Sequence, residues 1–177
     1  VYKKLPYDAE RDLAPVAPLD AMVYLSQSPH YRDVPSHAPH LWCVNVVSAI
    51  KAAEWAARHG AKRAIYASTG SVYAPSFRAH PETDPVRHDD WYALSKLHAE
   101  QALALLPGVA VCSLRLFGVY GPRQRGKLIP NLAGRILRGE TIELQPHPTD
   151  PADAGGLRLS LTYVDDAVEA MLHILKD

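Results

Sequence analysis

Tyr92 and Lys96 are the two side chains whose types and spacing could perform acid–base chemistry. They stand four residues apart in a segment with helical periodicity, so they share one helix face about one turn apart. A tyrosine is a poor base at neutral pH, but a nearby ammonium stabilises the phenolate and lowers the pKa of the phenol. Lys96 could therefore make Tyr92 a usable general acid or base. The alternative is that Tyr92 is a half-buried packing residue and Lys96 a solvated one.

A third polar group, Thr69, follows the apolar run KRAIYAS at 62–68. The run predicts a buried strand that stops at Thr69, Gly70 and Ser71. Because the carboxyl ends of parallel strands border a ligand crevice, Thr69 could hydrogen-bond the substrate oxygen that Tyr92 protonates or deprotonates. The alternative is an ordinary Ser/Thr turn in which Gly70 supplies an unusual backbone conformation.

Alternating apolar runs and helical patterns must position these residues. Buried strands are predicted at 21–26, 62–68 and 109–117. Helices are predicted at 41–59, from Asp90 as N-cap to about Leu106, at 128–138 and at 166–175, and a loop at 145–156. The helix after Asp90 would turn inward the side chains of Leu94, Leu97, Ala102 and Leu105. This order of elements predicts an α/β fold with a mostly parallel sheet and helices on both faces.

Composition narrows the class of protein. The 177 residues are 47% apolar, which favours one domain over 1–177. The 19 basic and 19 acidic residues balance without long runs, so no nucleic-acid or membrane partner is expected, and no apolar run approaches the roughly 20 residues of a membrane span. Cys43 and Cys112 lie in apolar stretches with no leader-like segment ahead of them. We expect a cytoplasmic protein with two buried thiols that acts on a small molecule, and we predict no metal site.

Four longer segments carry a resemblance to a known family. They are KRAIYASTGSVYA at 62–74, DDWYALSKLHAEQAL at 89–103, SLRLFGVYGPRQR at 113–125 and LTYVDDAVEAM at 161–171. In order and spacing they resemble the extended short-chain dehydrogenase/reductases of the NAD-dependent epimerase/dehydratase family, which epimerise, dehydrate or reduce nucleotide sugars. The resemblance spans nearly the whole chain after residue 20. It implies a Rossmann-like, doubly wound fold, truncated relative to the family.

The resemblance also assigns roles to individual residues. It implies that Tyr92 is the acid/base, that Lys96 tunes Tyr92 and contacts the nicotinamide ribose, and that Thr69 is the hydroxyl partner. The implied cofactor is NAD, or NADP, and the implied substrate is a nucleotide sugar. Further cofactor contacts are implied at Leu25, Ser26, Gln27, Asn45 and Phe117, and substrate contacts at Ser71, Gly118 and Arg123. Leu25 and Phe117 are equally compatible with plain core packing.

The sequence departs from the family pattern at several places. No GxxGxxG turn, which the family places against the dinucleotide pyrophosphate, occurs in the 177 residues. Gly118 stands where the family usually has an asparagine in RxxNxYGP, and Leu159 stands where an arginine often meets the diphosphate. The chain is therefore expected to be a fragment or a truncated relative, with 122–160 contributing part of the substrate lobe. A non-catalytic remnant or binding module is the alternative to an enzyme.

Gly70 and Ser71 decide which reaction of the family is expected. Sugar 4,6-dehydratases resemble one another in having Asp and Glu at these positions, and nucleotide-sugar decarboxylases tend to keep a glutamate at that of Ser71. Neither Gly70 nor Ser71 can transfer a proton at neutral pH. The expected activity is that of a UDP-sugar 4-epimerase, in which Tyr92 takes a hydroxyl proton as hydride leaves a sugar carbon and the keto intermediate is reduced again.

Simple reduction of a carbonyl substrate is the nearest enzymatic alternative. The helices that contain Asn45 and Lys96 resemble those through which the family dimerises, so a homodimer is expected.

Overall fold

Three parallel strands form the main sheet, in the order β1 (Ala21–Tyr24), β2 (Arg63–Thr69) and β3 (Ala110–Leu116). The computed structural model describes residues 19–76, 78–87, 89–143, 145–146, 155–156 and 158–176. In the central strand, Tyr66 pairs with Tyr24 on one side and with Ser113 on the other. The three apolar runs of the sequence therefore form a parallel sheet, as predicted.

The helices that connect these strands pack together on one face of the sheet. They are α1 (Ala38–Trp42), a π-helical turn (Cys43–Val47) and α2 (Ser48–Arg58), which link β1 to β2, and α3 (Trp91–Leu103), which links β2 to β3. Ala49, Ala53 and Ala99 are fully buried and form one cluster with Tyr66 and Leu103. Small side chains at this contact let the two helices approach closely.

The first residues of α1 and α3 explain where these two helices begin. The first helix begins at Ala38, three residues earlier than predicted, with a proline in its first turn, where the missing N–H of proline has no helical partner to lose. Asp90 caps α3 as predicted, since its carboxylate accepts a hydrogen bond from Ala93 N at 2.7 Å.

The inward face predicted for α3 is wrong in part. Leu97 is buried, but Leu94 and Ala102 are only partly buried and Leu105 is 84% exposed, beyond the end of the helix at Leu103. The buried face instead carries Ala93, Ser95, Lys96, Leu97, Ala99 and Leu103. The packing against α2 buries Ala99 beside Ala49 and Ala53, so the apolar size of a side chain alone does not identify the buried face.

The chain beyond β3 builds a second, smaller sheet and covers the other face of the main sheet. β4 (Val119–Tyr120) pairs in parallel with β5 (Thr162–Tyr163), with α4 (Leu128–Leu137) between them in sequence and α5 (Val164–Lys176) directly after β5. Arg63 donates a hydrogen bond to Leu175 O of α5 at 3.3 Å. Because Arg63 and Tyr66 are three residues apart in a strand, their side chains point to opposite faces. Helices therefore cover both faces, as predicted.

The thiols differ from the prediction of two buried groups. Cys43 is exposed and Cys112 is partly buried, and both are free. Cys43 lies on the outer side of the π-helical turn, so the apolar character of its segment did not imply burial.

No helix within the described residues is long and apolar enough to cross a membrane. Residues 147–154 of the predicted loop at 145–156 lie outside the described residues, and the single domain over 1–177 and the lobe assigned to 122–160 stay predictions.

Candidate active site

The carboxyl ends of the three parallel strands border a cavity of about 420 Å³. Six of the predicted site residues line it: Leu25, Gln27, Thr69, Tyr92, Lys96 and Gly118. The remaining lining residues are Ala67, Ser68, Leu116, Val119, Val164, Ala167, Val168 and Met171. Open α/β sheets bind ligands at this edge, so the position and the residue types agree with a site. A depression of about 330 Å³ on α4 contains none of the predicted residues.

Thr69 ends β2 and presents its hydroxyl to the cavity. Its backbone is extended, with φ −143° and ψ 142°, and a 3-10 turn follows over Gly70–Val72. The N–H of Ser71 donates to Thr69 Oγ1 at 3.2 Å, which fixes the hydroxyl while leaving its hydrogen to donate. A hydrogen bond between the side chains of Thr69 and Tyr92 lowers the pKa of Tyr92 against the effect of burial. The two hydroxyl groups that were predicted to act together are therefore neighbours.

Tyr92 and Lys96 reach the cavity from successive turns of α3. The Tyr92 hydroxyl donates to Gln27 Oε1 at 3.1 Å, and its ring lies 5.4 Å from that of Tyr31 between centroids. The Lys96 ammonium donates to Ala67 O at 2.8 Å and lies 4.7 Å from the centroid of the Tyr66 ring. Lys96 is only 2% exposed, so its charge is held inside the protein by a carbonyl and an aromatic face.

The pKa values of the pair are both shifted by burial. Burial raises the pKa of Tyr92, the hydrogen bond from Thr69 partly opposes this, and the nearby Tyr31 and Asp90 add to the rise. Burial lowers the pKa of Lys96 to about 8. The expected lowering of the Tyr92 pKa by Lys96 is not found in this structure, because burial dominates and the ammonium is directed to Ala67 O and the Tyr66 ring. At pH 7 Lys96 still carries its proton in most molecules.

A largely buried ion pair beneath the cavity, with Arg115 23% and Glu100 9% exposed, holds β2, β3 and α3 together. Arg115 on β3 contacts both carboxylate oxygens of Glu100 on α3, with distances of 3.1 Å and 3.2 Å from Nε and 2.7 Å from Nη2. Ser68 donates to the same carboxylate, and Arg115 also donates to the hydroxyl of Tyr73. The pair thus braces the strand end that carries Thr69 against the helix that carries Tyr92. These contacts give Arg115 a structural role at the edge of the cavity.

Two glycines allow close packing around the site. A β-carbon on Gly70 would lie well inside 3.0 Å of the Phe117 ring, and one on Gly118 would lie as close to Ser160 O. Gly118 also has φ +43°, a backbone conformation that favours glycine. The departure from the asparagine of the family motif therefore accompanies a close approach of the chain at 160. Phe117 packs against the buried cluster formed by Val72, Tyr73, Ala93 and Leu97.

The other predicted contacts lie outside the cavity lining. Asn45 is fully buried, donating to Ser95 Oγ at 2.9 Å and accepting from Ser28 N at 3.2 Å. Ser26 and Ser71 are exposed beside the site, and Arg123 is exposed with φ +67°. Cofactor contacts by Ser26, Asn45 and Phe117, and substrate contacts by Ser71 and Arg123, stay predictions.

The wall formed by α5 was not predicted. Val164, Ala167, Val168 and Met171 close the cavity on the face of the sheet opposite α3. Their spacing of three and four residues is that of one helix face, and it was visible in the segment VDDAVEAM. The position of this face could not be derived from the segment itself, because it depends on how the chain returns after β4.

Comparison with known proteins agrees with this architecture. The model of the NAD dependent epimerase/dehydratase family matches residues 8–177. The Bacillus subtilis protein called "Uncharacterized UDP-glucose epimerase YtcB" is 27% identical over 161 residues, which are 89% of this chain and 49% of that protein. UDP-N-acetyl-alpha-D-glucosaminuronate decarboxylase of Bacillus cytotoxicus is 33% identical over 137 residues, which are 69% of this chain and 40% of the enzyme.

Solved structures show the same fold. MoeE5 in complex with UDP-glucose and NAD superposes with a TM-score of 0.69 at 28% identity, over 88% of this chain and 52% of that one. UDP-glucose 4-epimerase of Thermotoga maritima gives a TM-score of 0.70 at 24% identity, over 86% of this chain and 50% of that one. The chain thus spans about half the length of these proteins or less. Because the family model matches almost the whole chain, the protein belongs to the NAD dependent epimerase/dehydratase family.

Proposed function

We propose that the protein containing this chain is an NAD-dependent nucleotide-sugar 4-epimerase, with Tyr92 as its acid–base group. The observation that carries the proposal is the shared cavity of Thr69, Tyr92 and Lys96 at the strand ends, beside a turn in which Gly70 and Ser71 offer no acid. The relatives named as a UDP-glucose epimerase and as a UDP-sugar decarboxylase, and the MoeE5 complex with UDP-glucose and NAD, support the substrate class.

The cavity fits the nicotinamide end of NAD. Among the described residues, Ala67 O is the acceptor that binds the Lys96 ammonium, and an ammonium has three N–H donors. Two of its donors are therefore left to bind ribose hydroxyls, and a buried cation gains from such partners. Leu25 and Gln27 would border the same end of the cofactor. When bound, NAD supplies a reversible acceptor for hydride.

Residues of this chain would carry out the proton transfer. In the proposed reaction Thr69 donates to the reacting sugar oxygen, which holds that oxygen beside the Tyr92 hydroxyl. Tyr92 takes the proton of the sugar hydroxyl and later returns it. Because burial keeps the pKa of Tyr92 high in the free chain, the phenolate needs a neighbouring cation, and Lys96 is the cation in this cavity.

The turn after Thr69 favours epimerisation over water loss or decarboxylation. A 4,6-dehydratase needs one group that protonates the leaving hydroxyl and another that takes a carbon-bound proton. Gly70 has no side chain and the Phe117 ring occupies the space of its β-carbon. Ser71 is exposed and cannot act as a carboxylate. Small groups here also leave room for a keto-sugar to turn and present its other face.

The test incubates the full-length protein with NAD and UDP-glucose, or with NAD and TDP-glucose, and identifies the products by chromatography and mass spectrometry. Interconversion of the glucose and galactose forms is expected. Accumulation of a 4-keto-6-deoxy sugar or a decarboxylated sugar would contradict the proposal. Stoichiometric consumption of NADH with a carbonyl substrate, without epimerisation, would favour the reductase alternative.

We also propose that the protein is a homodimer. Its support is the pair of apolar side chains left exposed on the packed helices, Val47 at the π-helical turn and Trp91 on α3. Light scattering at several concentrations tests this, and a monomer at the highest concentration would contradict it.

A further inference from the structure

Three metal-binding side chains converge in the loop between β1 and α1. His30, Asp33 and His37 each bring one ligand atom to within 4.8 Å of the others. His30 Nδ1 lies 3.1 Å from Asp33 Oδ2, and the rings of His30 and His37 stack with centroids 4.3 Å apart and planes at 14°. A single cation could reach two imidazole nitrogens and one carboxylate oxygen at this place.

Backbone hydrogen bonds order the loop that carries these three side chains. Asp33 N donates to His30 O and His37 N donates to Asp33 O, each at 3.0 Å. Leu41 N then donates to His37 O at 3.0 Å, which ties the loop to α1. Spacings of three and four residues along consecutive turns place the three side chains on one side. Such preorganisation reduces the entropy that a ligand must overcome on binding.

The charge of the cluster suits a cation. Asp33 pairs with His30 among the described residues, while the neighbouring cations Arg32 and Lys127 lie against the ring of Tyr31, 5.1 Å and 5.2 Å from its centroid. The side chains of His30 and Asp33 are 40% and 58% exposed, so an ion from solvent can reach them.

We propose that His30, Asp33 and His37 bind one divalent transition-metal ion, of the kind represented by Zn²⁺ or Co²⁺. Imidazole nitrogen with carboxylate oxygen is a ligand set that these ions accept. Three protein ligands leave a position of the tetrahedron for water.

His40 braces the site and connects it to the fold. Its ring lies edge-on to that of His30 with centroids 5.1 Å apart, and its Nδ1 is 2.9 Å from Ser28 Oγ. Ser28 Oγ also accepts from His30 N at 3.2 Å.

The ion would stabilise a loop that borders the cavity. Ser28 N donates to the buried Asn45, and Tyr31, next to His30, packs against the ring of the Tyr92 acid–base group. Binding at His30, Asp33 and His37 would therefore hold Gln27 and Tyr31 in place beside Tyr92. The role assigned to the ion is structural and involves no step of the reaction.

The experiment uses the full-length protein, freed of any histidine tag and stripped with a chelator. Co²⁺ titration followed by visible absorption, and equilibrium dialysis against Zn²⁺ with metal analysis, should both give one ion per chain at this site. His30→Ala and His37→Ala should each weaken binding at least about tenfold, since one of three ligands is lost. Asp33→Asn, which preserves shape, should weaken it as well.

His98→Ala is the matched control, because His98 is an exposed histidine outside the cluster. It should bind the ion as the unaltered protein does, and Zn²⁺ should raise the melting temperature of both. Absence of stoichiometric binding would overturn the proposal, as would unchanged affinity in the His30→Ala and His37→Ala proteins. Without metal, the variants should melt at the same temperature as the parent. Such a result would show that the variants are folded and that weaker binding comes from the missing ligand.

Discussion

The hydroxyl of Tyr92 donates a hydrogen bond to Gln27 Oε1 across 3.1 Å, joining α3 to the loop after β1. Both residues line the cavity, and Thr69 contributes a second hydroxyl beside them. The proposed acid–base group is thus held in place in the free chain by a neutral partner. A substrate hydroxyl would have to replace Gln27 as the hydrogen-bond partner of the Tyr92 hydroxyl. Substrate binding and proton transfer would therefore both involve the Tyr92 oxygen.

Tyr92→Phe should lower kcat by roughly 100-fold to 10,000-fold, the usual contribution of a general acid or base. The phenyl ring keeps the packing against Tyr31, so the fold and NAD affinity should change little. Steady-state kinetics and cofactor titration by fluorescence measure the two effects. Tyr120→Phe is the control, because Tyr120 lies in β4 against Tyr163 and outside the cavity lining. Near-normal turnover by the Tyr92→Phe protein would reject Tyr92 as the acid–base group.

Lys96 should make stability rise with pH in the alkaline range. Its pKa is about 8 in the folded chain, against the ordinary lysine value of 10.5 in the unfolded chain, so between these values the unfolded chain binds more protons than the folded one. The free energy of unfolding therefore increases with pH in this window, and the penalty of the buried charge is fully present below pH 8. Relative to Lys96→Met, the parent should gain about 2 kcal/mol between pH 7 and pH 9.5.

Urea unfolding at the two pH values, for parent and Lys96→Met protein, measures this difference and cancels the groups common to both. The same pH dependence in both proteins would show that Lys96 does not titrate with a lowered pKa.

Arg115→Met should destabilise the fold by about 3 kcal/mol, because it leaves the buried carboxylate of Glu100 without its cation. The exposed pair Arg135 and Glu140, with both side chains 43% exposed, provides the comparison. Arg135→Met should cost less than about 1 kcal/mol. Urea denaturation gives both values, and an equal cost would argue against the bracing role of the buried pair.

Gly70→Ala should destabilise by about 1–3 kcal/mol, since the new methyl group would overlap the Phe117 ring. In the Phe117→Leu background the same change should cost less, and the double-mutant cycle should show a coupling of about 1 kcal/mol. Gly134→Ala is the control, because its methyl group would meet only the flexible end of Arg138 and a helical alanine is favoured over glycine. Additive effects at Gly70 and Phe117 would contradict the predicted overlap.

Local patterns in the sequence were sufficient for the parts of the fold that depend on neighbouring residues. The three apolar runs became β1, β2 and β3, and Asp90 caps α3 as expected. The positions of Tyr92 and Lys96 one turn apart follow from helix geometry. The strand end at Thr69 follows from the residues that come directly after it. These features are determined over a few residues, so a linear pattern contains them.

Contacts between distant residues decided the rest. The buried face of α3 depends on the alanines of α2, and the pKa of Tyr92 is raised chiefly by burial. The Lys96 ammonium binds Ala67 O of a distant strand. The pairing of Glu100 with Arg115 and the cavity wall from α5 join segments that the sequence alone leaves unconnected. The sequence by itself determined which groups could do chemistry, whereas the tertiary structure decided their protonation and partners, because desolvation and ion pairing depend on what surrounds a group in space.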